Sequence, residues 1–229
     1  MALILNIETS AEACSVALTD GISLLAEARE TQPRSHASKL AVLIDQVMNQ
    51  AGILRSDLNA VAVSAGPGSY TGLRIGVATA KGLCYGLSIP LIAVNTLDIL
   101  IAQVNQSQKI NARLLCPMID ARRMEVYCKI VDNKNIEIEE MKSIIVDQLT
   151  FSHHLQQQSI CFFGSGAMKC KSVIQHPNAI FVDDVFPDAS GMRHLAFEKL
   201  VINETEDLIS FEPFYIKEFL IKKSRKEVV

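Results

Sequence analysis

Hydrophobic and polar positions follow two different periods along the chain, and each period predicts a different kind of element. Residues 3–7 form a short run that is apolar except for Asn6, which is typical of a strand covered on both faces. In residues 14–19, Cys14, Val16 and Leu18 alternate with the small side chains Ser15, Ala17 and Thr19, which predicts a second strand. The turn dipeptide Asp20-Gly21 then favours a tight hairpin into a third strand over residues 22–28. The chain therefore opens with three strands joined by short turns.

Helical spacing of apolar residues begins after this meander. Ser35 is a predicted N-cap, and Gly52 is expected to close the helix. The large apolar residues of one face of this helix are Leu40, Leu43, Ile44, Val47 and Met48. The spacing predicts an amphipathic helix with one buried face.

Two further strand–helix pairs complete the first half. A buried strand over 60–64 leads through a glycine-rich turn into a helix that ends near residue 85, and a strand over 89–94 precedes a helix over 96–103. This half therefore reads β-β-β-α-β-α-β-α and belongs to the α/β class. The polar stretch 105–109 is the predicted domain boundary, which divides the chain into residues 1–106 and 107–229.

The second half carries fewer clear elements and is predicted to be the smaller lobe. Strands are predicted over 114–119, 124–131 and 160–163, and the last of these leads through Gly164-Ser165-Gly166 into a short helix. Ser190 is expected to cap a late helix. By eye, the strand–glycine–helix theme is the one feature that recurs between the halves.

Composition narrows the class of function. The chain has 229 residues, 49% hydrophobic and 21% charged, which excludes wholesale disorder. Its net charge is −3 and its pI about 6.0, whereas a protein that binds nucleic acid alone usually carries a basic face. We therefore expect contact with RNA through a partner only. No basic segment precedes the first strand and no apolar run is long enough to span a bilayer, so a cytoplasmic protein is expected.

Cysteines and histidines do not form recognisable metal motifs. The six cysteines include no Cys-x-x-Cys pair, and we expect buried, reduced thiols. The five histidines form neither His-x-x-x-His nor His-Glu-x-x-His, and are interpreted as surface residues. Adjacent His153 and His154 are expected to point apart. We therefore predict no metal site and find no support for a zinc hydrolase.

The strongest local feature is the glycine-rich turn between the fourth strand and the second helix. Free N–H groups at the start of a helix suit an anion. The turn is neither a Walker A loop nor Gly-x-Gly-x-x-Gly, because Thr71 stands at the third glycine position. The candidate phosphate or nucleotide residues are Gly66, Gly68, Ser69, Thr71 and Gly72. A purely structural turn is the other interpretation, and the spacing alone leaves both open.

The helix after this turn is rich in small residues. Gly72, Gly76 and Ala80 form one row, and Ala78, Gly82 and Gly86 form another. Since glycine costs about 1 kcal/mol in a helix interior relative to alanine, a closely packed neighbour is expected. That neighbour is either the protein's own sheet or another subunit. The predicted subunit interface comprises Leu40, Leu43, Ile44, Val47, Gly72, Gly76 and Ala80, and a bulky residue at position 76 is expected to disrupt assembly and spare the fold.

No nucleophile motif is present, and no catalytic residue is predicted. Ser69 and Ser165 both lie outside the pattern Gly-x-Ser-x-Gly. Glu8 and Asp120 each end a strand, where a carboxylate can hold a metal–phosphate group, although a lone carboxylate is more often structural. The basic tail 222–226 is interpreted as a solvated end that could assist an RNA-bound assembly electrostatically.

Several segments together resemble the TsaB (YeaZ) family. These segments are residues 4–10, 13–18, 65–76, 120–123, 125–127 and 213–217. The similarity is dense over the first hundred residues, and the long glycine motif between a strand and a helix is its most specific part.

The resemblance implies a fold of the actin/Hsp70/sugar-kinase (ASKHA) type, with two related α/β lobes and a reduced second lobe. It also implies a non-catalytic partner of TsaD in making threonylcarbamoyladenosine beside the tRNA anticodon, together with the ATPase TsaE. In that family TsaD carries the metal-binding histidines and transfers the threonylcarbamoyl group. The helices that correspond to residues 35–50 and 71–86 form the subunit interface, and a homodimer through this face is expected when the chain is alone.

Some residues depart from the family pattern. Glu8 stands where relatives usually carry Asp, and Thr9-Ser10-Ala11 lacks the glycine by which ATP-using members of the fold approach phosphate. We therefore expect no required cofactor, while binding of ATP or ADP at residues 66–72 stays open. The alternatives are a small ATPase or kinase of the same fold acting alone and a self-assembling scaffold. A glycoprotease-type peptidase is disfavoured because metal-ligand motifs are missing.

Overall fold

The computed structural model describes residues 2–32, 36–107 and 112–216. The predicted N-cap Ser35 and the basic tail 222–226 lie outside the described residues. The first sheet has the order β3-β2-β1-β4-β5. Its strands are β1 (Leu3–Glu8), β2 (Cys14–Asp20), β3 (Ser23–Glu30), β4 (Ala60–Gly66) and β5 (Leu91–Asn95).

The strand β1 is the centre of this sheet and is buried along its whole length. It pairs antiparallel with β2 and parallel with β4, as its largely apolar sequence predicts for a central strand. Leu3, Leu5 and Ile7 belong to the core on one face of the sheet, and Ile4 belongs to the core on the other. The predicted hairpin between β2 and β3 is confirmed, with Gly21 at φ +55°.

Two helices cover one face of the first sheet. They are α1 (His36–Ala51) and α2 (Tyr70–Leu87), which contact each other. Gly52, at φ +65°, follows α1 in the left-handed conformation that glycine favours, which confirms it as the end of this helix. The third helix, α3 (Thr96–Ser107), follows β5.

The second sheet repeats the arrangement of the first. Its strands are β6 (Leu114–Asp120), β7 (Glu125–Asp132), β8 (Glu137–Ile145), β9 (Ile160–Phe163) and β10 (Ala179–Val182). The order β8-β7-β6-β9-β10 places two antiparallel strands on one side of β6 and two parallel strands on the other. The short helices α4 (Ser152–Gln157) and α5 (Ala167–Cys170) flank β9 in the chain.

The chain then returns to the first sheet. A 3₁₀ turn (Ala189–Met192) leads into α6 (Arg193–Val201), and Met192 and Ala196 pack in the same core as Ile4 and Ile92. The predicted second domain, residues 107–229, therefore contains a segment that packs on the first sheet. The expectation that Ser190 caps this helix is wrong, because Asp188 precedes the 3₁₀ turn and its carboxylate accepts a hydrogen bond from Ser190 N.

The helix α3 joins the two sheets. Leu97, Leu100 and Val104 pack with residues of the second sheet, whereas Ile99 packs in the core of the first. Among the residues described, no helix has both the length and the apolar composition that a membrane crossing requires.

Candidate functional site

The glycine-rich turn connects the end of β4 to the start of α2. Ser69 caps α2, since its Oγ accepts a hydrogen bond from Gly72 N at 3.3 Å. The backbone N–H of Ser69 donates to the carbonyl of Ser10 at 2.7 Å. The loop therefore lies directly against the turn that follows β1.

Three of the predicted loop residues are glycines for reasons internal to the chain. A Cβ at Gly68 would lie 2.5 Å from Ser10 O, and one at Gly72 would overlap Thr9 O. Gly66 has φ +110°, and a Cβ there would lie 2.6 Å from the carbonyl oxygen of Phe214. Close packing of the protein's own backbone thus accounts for these glycines without a bound phosphate.

The turn after β1 buries a cluster of polar side chains beneath α2. Glu8, Thr9 and Ser64 are fully buried, and Ser10 is nearly so. Glu8 Oε1 accepts a hydrogen bond from Ser10 N at 2.5 Å, but Glu8 Oε2, Thr9 Oγ1 and Ser10 Oγ have no partner within the described residues. Burial raises the pKa of the Glu8 carboxyl to about 7, and the hydrogen bond from Ser10 N lowers this pKa only in part.

The row Gly72–Gly76–Ala80 faces inward, against the chain's own sheet. A Cβ at Gly76 would overlap Thr9 Oγ1, and Ala80 is fully buried in the first core. On α1, the predicted interface side chains are buried in that same core: Leu40, Leu43, Ile44 and Val47. The chain's own first lobe packs against these seven residues, and their contact with another subunit stays a prediction.

The opposite side of α2 is exposed and has a second row at intervals of four residues. We call it the outer row, and it consists of Tyr70, Arg74, Ala78, Gly82 and Gly86. Within the described part of the chain, nothing lies within 4 Å of a Cβ placed on Gly82 or Gly86. Tyr85 beside this row is 82% exposed, and Val42 of α1 is 57% exposed.

The C-terminal segment reaches the start of α2. Phe214 N donates to Ala65 O at 2.7 Å, and the rings of Tyr215 and Tyr70 lie 5.1 Å apart. Phe214 and Tyr215 were not among the site residues predicted from the sequence. Their one signal was the resemblance of residues 213–217 to a family segment, since a contact across 145 positions leaves no periodic trace in the sequence.

The other candidate carboxylate, Asp120, lies in the second sheet and is held by its own neighbours. It forms an ion pair with Lys169 and accepts a hydrogen bond from Arg122 N, while its own N–H donates to Ser165 Oγ. The structure therefore does not bring Asp120 and Glu8 into one site. No three His, Cys, Asp or Glu side chains of the described ranges lie together as metal ligands would.

Two interpretations of the histidines are corrected. His36 is buried, with Nε2 3.0 Å from Ala11 O, so it is not a surface residue. The rings of His153 and His154 lie 5.7 Å apart, edge to face, rather than pointing apart. All six cysteines are buried and free, as predicted.

Two sheets of matching strand order, each with a glycine turn between a parallel strand and a helix, define a two-lobed α/β protein of the actin/Hsp70/sugar-kinase type. The inorganic polyphosphate/ATP-glucomannokinase of Arthrobacter sp. strain KM shares this fold, with a TM-score of 0.50 and 11% identity over 88% of this chain and all of that one. The chain belongs to the family whose model is described as "TsaD: tRNA N6-adenosine threonylcarbamoyltransferase", which matches residues 23–150, more than half of its length.

Its relatives include several TsaB proteins and, over shorter stretches, tRNA N6-adenosine threonylcarbamoyltransferases. It is 28% identical to the tRNA threonylcarbamoyladenosine biosynthesis protein TsaB of Haemophilus influenzae over 93% of both chains. It is 40% identical to Escherichia coli TsaB over 54% of this chain and 52% of that one, so this alignment spans about half of that relative. The solved structure of YeaZ from Pseudomonas aeruginosa matches 94% of this chain and 100% of that chain, with 28% identity and a TM-score of 0.80. The resemblance to TsaB (YeaZ) is confirmed.

Proposed function

We propose that this chain takes part in tRNA threonylcarbamoyladenosine biosynthesis as a non-catalytic partner of a TsaD-type threonylcarbamoyltransferase. The partner docks on the outer row of α2 and the adjoining surface of α1. The observation that carries the proposal is the exposed pair Gly82 and Gly86, which the described residues leave uncovered. The names of the TsaB relatives support the pathway.

The energetic argument concerns the two exposed glycines. Each costs the helix about 1 kcal/mol relative to alanine, and no contact within the described residues offsets that cost. A glycine row allows a second helix to approach closely, as small residues do at tight helix–helix contacts. Exposed Tyr85 offers the aromatic contact area that interfaces favour. The row therefore fits a helix of another subunit.

The same face would serve for self-association. We propose that the chain alone forms a homodimer through the outer row, and that the TsaD-type subunit displaces the second copy. TsaE and tRNA would then join the assembled pair, since the net charge of −3 gives this chain little attraction for RNA by itself. The glycine turn is proposed to be structural, with no nucleotide required by this subunit.

The test is co-purification of this chain with the TsaD homologue of its own organism, read by elution size and light scattering. A stable stoichiometric complex is expected for the unaltered chain. Gly82→Arg should abolish both this complex and the homodimer, because the long side chain fills the space that a partner helix needs. Gln156→Arg is the matched control, since it adds the same charge to the exposed face of α4 in the second lobe.

Each outcome is decisive for the proposal. Loss of both assemblies in Gly82→Arg, with an unchanged unfolding temperature and an unaffected control, supports the outer row as the docking face. A complex that survives Gly82→Arg would place the interface elsewhere. Absence of any complex across salt and nucleotide conditions would contradict the partner role altogether.

A further inference from the structure

The N-terminal end of the outer row differs from its glycine end. Tyr70 and Arg74 lie one helical turn apart, and Arg74 Nη1 donates to Tyr70 Oη at 2.7 Å. The Arg74 guanidinium also stands 5.3 Å from the centre of the Tyr70 ring. Tyr215 joins them from the other end of the chain, with its ring 5.1 Å from that of Tyr70 at 37°. Three side chains thus form one surface group, which we call the Tyr–Arg cluster.

The cluster is held in place by the C-terminal segment. Phe214 N donates to Ala65 O, and the carbonyl of Phe214 lies against Gly66, so the backbone next to Tyr215 is fixed on the end of β4. Lys81 Nζ donates to Phe211 O at 3.0 Å, which ties the same segment to α2. Because these contacts order Tyr215 before any partner arrives, binding there loses little side-chain entropy.

The guanidinium of Arg74 retains donors that the described residues do not use. Arginine has five N–H donors, and the contact with Tyr70 uses one. In the described ranges no carboxylate lies within ion-pair distance of Arg74, and Glu212 acts on it only from farther away. A groove of about 440 Å³ opens beside it, lined by Tyr70, Thr71, Arg74, Ile75 and Ala78. A planar guanidinium with free donors beside an open groove suits a carboxylate, which it can bind through two parallel hydrogen bonds.

We propose that the Tyr–Arg cluster binds an acidic side chain of the partner subunit and acts as the energetic hot spot of the interface. This inference rests on the proposed function and assigns the chemistry that recognises the partner. Tyrosine and arginine are the residue types in which interface binding energy concentrates. The glycine end of the row then sets how closely the helices approach, whereas the cluster selects which surface docks.

The experiment measures the affinity of the purified chain for its TsaD homologue at two salt concentrations. Arg74→Gln and Tyr215→Ala should each weaken binding at least about tenfold, and Tyr215→Phe should stay within about threefold because it keeps the ring. Arg74→Gln should also flatten the salt dependence, since the lost contact is an ion pair. The double variant should lose less than the two single effects combined, because both residues serve one contact. Phe186→Ala is the control for loss of an exposed aromatic ring elsewhere.

The possible outcomes distinguish failure of this inference from failure of the proposed function. If Arg74→Gln and Tyr215→Ala bind the TsaD homologue as well as the unaltered chain does, whereas Gly82→Arg does not bind it, the cluster is not the hot spot. The proposed docking face would still hold. Equal salt dependence in Arg74→Gln and the unaltered chain would exclude the carboxylate. Variants that keep the partner but weaken tRNA binding by the assembled complex would replace the proposal with an RNA contact. If the unaltered chain binds no TsaD homologue, both proposals fail.

Discussion

Glu8 occupies the last position of β1 with a carboxyl group that solvent does not reach. Burial disfavours its charged form, and the hydrogen bond from Ser10 N offsets only part of that cost. One carboxyl oxygen and the hydroxyls of Thr9 and Ser10 lack partners within the described residues. The cluster lies beneath the glycines of α2, so a small change in charge there acts on the packing of this helix.

The raised pKa of Glu8 makes the stability depend on pH. The folded chain holds this proton up to about pH 7, whereas the unfolded chain releases it near 4.5. The stabilising contribution is therefore fully present below pH 4.5 and is lost as the pH rises to about 7, on the order of 3 kcal/mol in all. Glu8→Gln should remove this decline and raise the free energy of unfolding at pH 8.

Denaturant unfolding between pH 4.5 and 8 measures the effect of Glu8→Gln. Exposed Glu198→Gln is the matched control and should keep the decline of the unaltered chain. If the free energy of unfolding of Glu8→Gln declines with pH as it does in the unaltered chain, the Glu8 carboxyl stays ionised in the folded chain.

Two glycines of one helix have opposite surroundings. A Cβ on Gly76 overlaps Thr9 Oγ1, whereas a Cβ on Gly82 meets no described atom within 4 Å. Gly76→Ala should therefore lower the free energy of unfolding by about 1–3 kcal/mol, because overpacking must move α2 or Thr9. Gly82→Ala should raise it by about 0.5–1 kcal/mol through helix propensity.

Chemical denaturation of both glycine variants at a concentration where the chain is monomeric tests this contrast. The same substitution in the same helix makes each variant the control for the other. Equal changes in the free energy of unfolding for Gly76→Ala and Gly82→Ala would mean that Gly76 does not face the core or that Gly82 is not exposed. The sequence predicts that a bulky residue at position 76 spares the fold, whereas the contact with Thr9 leads us to expect a loss of stability.

At the scale of elements, strongly apolar or strongly periodic segments were predictable and weakly patterned ones were not. The meander β1–β3, the helices α1 and α2 and the strand β9 agree with the prediction to within a few residues. The strand β8 was missed because it is largely exposed and acidic and offers no apolar run. β10 and α4 were missed because both are short and only partly buried, whereas the equally short β9 is apolar and fully buried.

Besides apolar packing, an ion pair between a buried ammonium group and an exposed carboxylate links α3 to β7. Lys129 Nζ on β7 lies 2.5 Å from Asp98 Oδ1 on α3 and 3.7 Å from Glu137 Oε2, and the Lys129 side chain is only 10% exposed. Asp98→Asn should lower the free energy of unfolding by about 1–2 kcal/mol, because it leaves the ammonium group underpaired.

Thermal and denaturant unfolding measure the effect of Asp98→Asn. Asp45→Asn breaks the exposed pair with Arg55 and is the control, with an expected change of less than about 1 kcal/mol. A similar loss in the free energy of unfolding in both variants would show that burial of Lys129 does not strengthen its ion pair.

At the scale of the whole molecule, two sheets of the same strand order face α3, and the C-terminal segment closes back on the first glycine turn. Phe214 packs so closely against Gly66 that a Cβ there would lie 2.6 Å from the Phe214 carbonyl oxygen, and whether this loop binds a nucleotide stays a prediction. The predicted division after residue 106 stays a prediction, while the packing of α6 links the end of the described chain to the first sheet.

Nucleotide binding is therefore testable on the isolated chain. Addition of 1 mM Mg-ATP or Mg-ADP should leave the unfolding temperature unchanged. For a site with a Kd of about 10 μM, the nucleotide concentration would be about a hundred times the Kd, and binding would stabilise the folded chain by about 2.7 kcal/mol. Mg-AMP serves as the control for non-specific effects of the nucleotide. A dose-dependent rise with ATP alone would restore the glycine turn as a nucleotide site.

The sequence by itself determined the α/β class, most of the first lobe and the family, because apolar periods and the long glycine motif are local features of the chain. It could not decide which row of α2 faces the core. Both rows have small residues at helical spacing, and only contact with Thr9 distinguishes them. Nor could the sequence predict the contact between Tyr215 and Tyr70, because that contact depends on how a distant C-terminal segment packs against α2. Spacing along the chain determines faces of elements, whereas tertiary packing determines what each face meets.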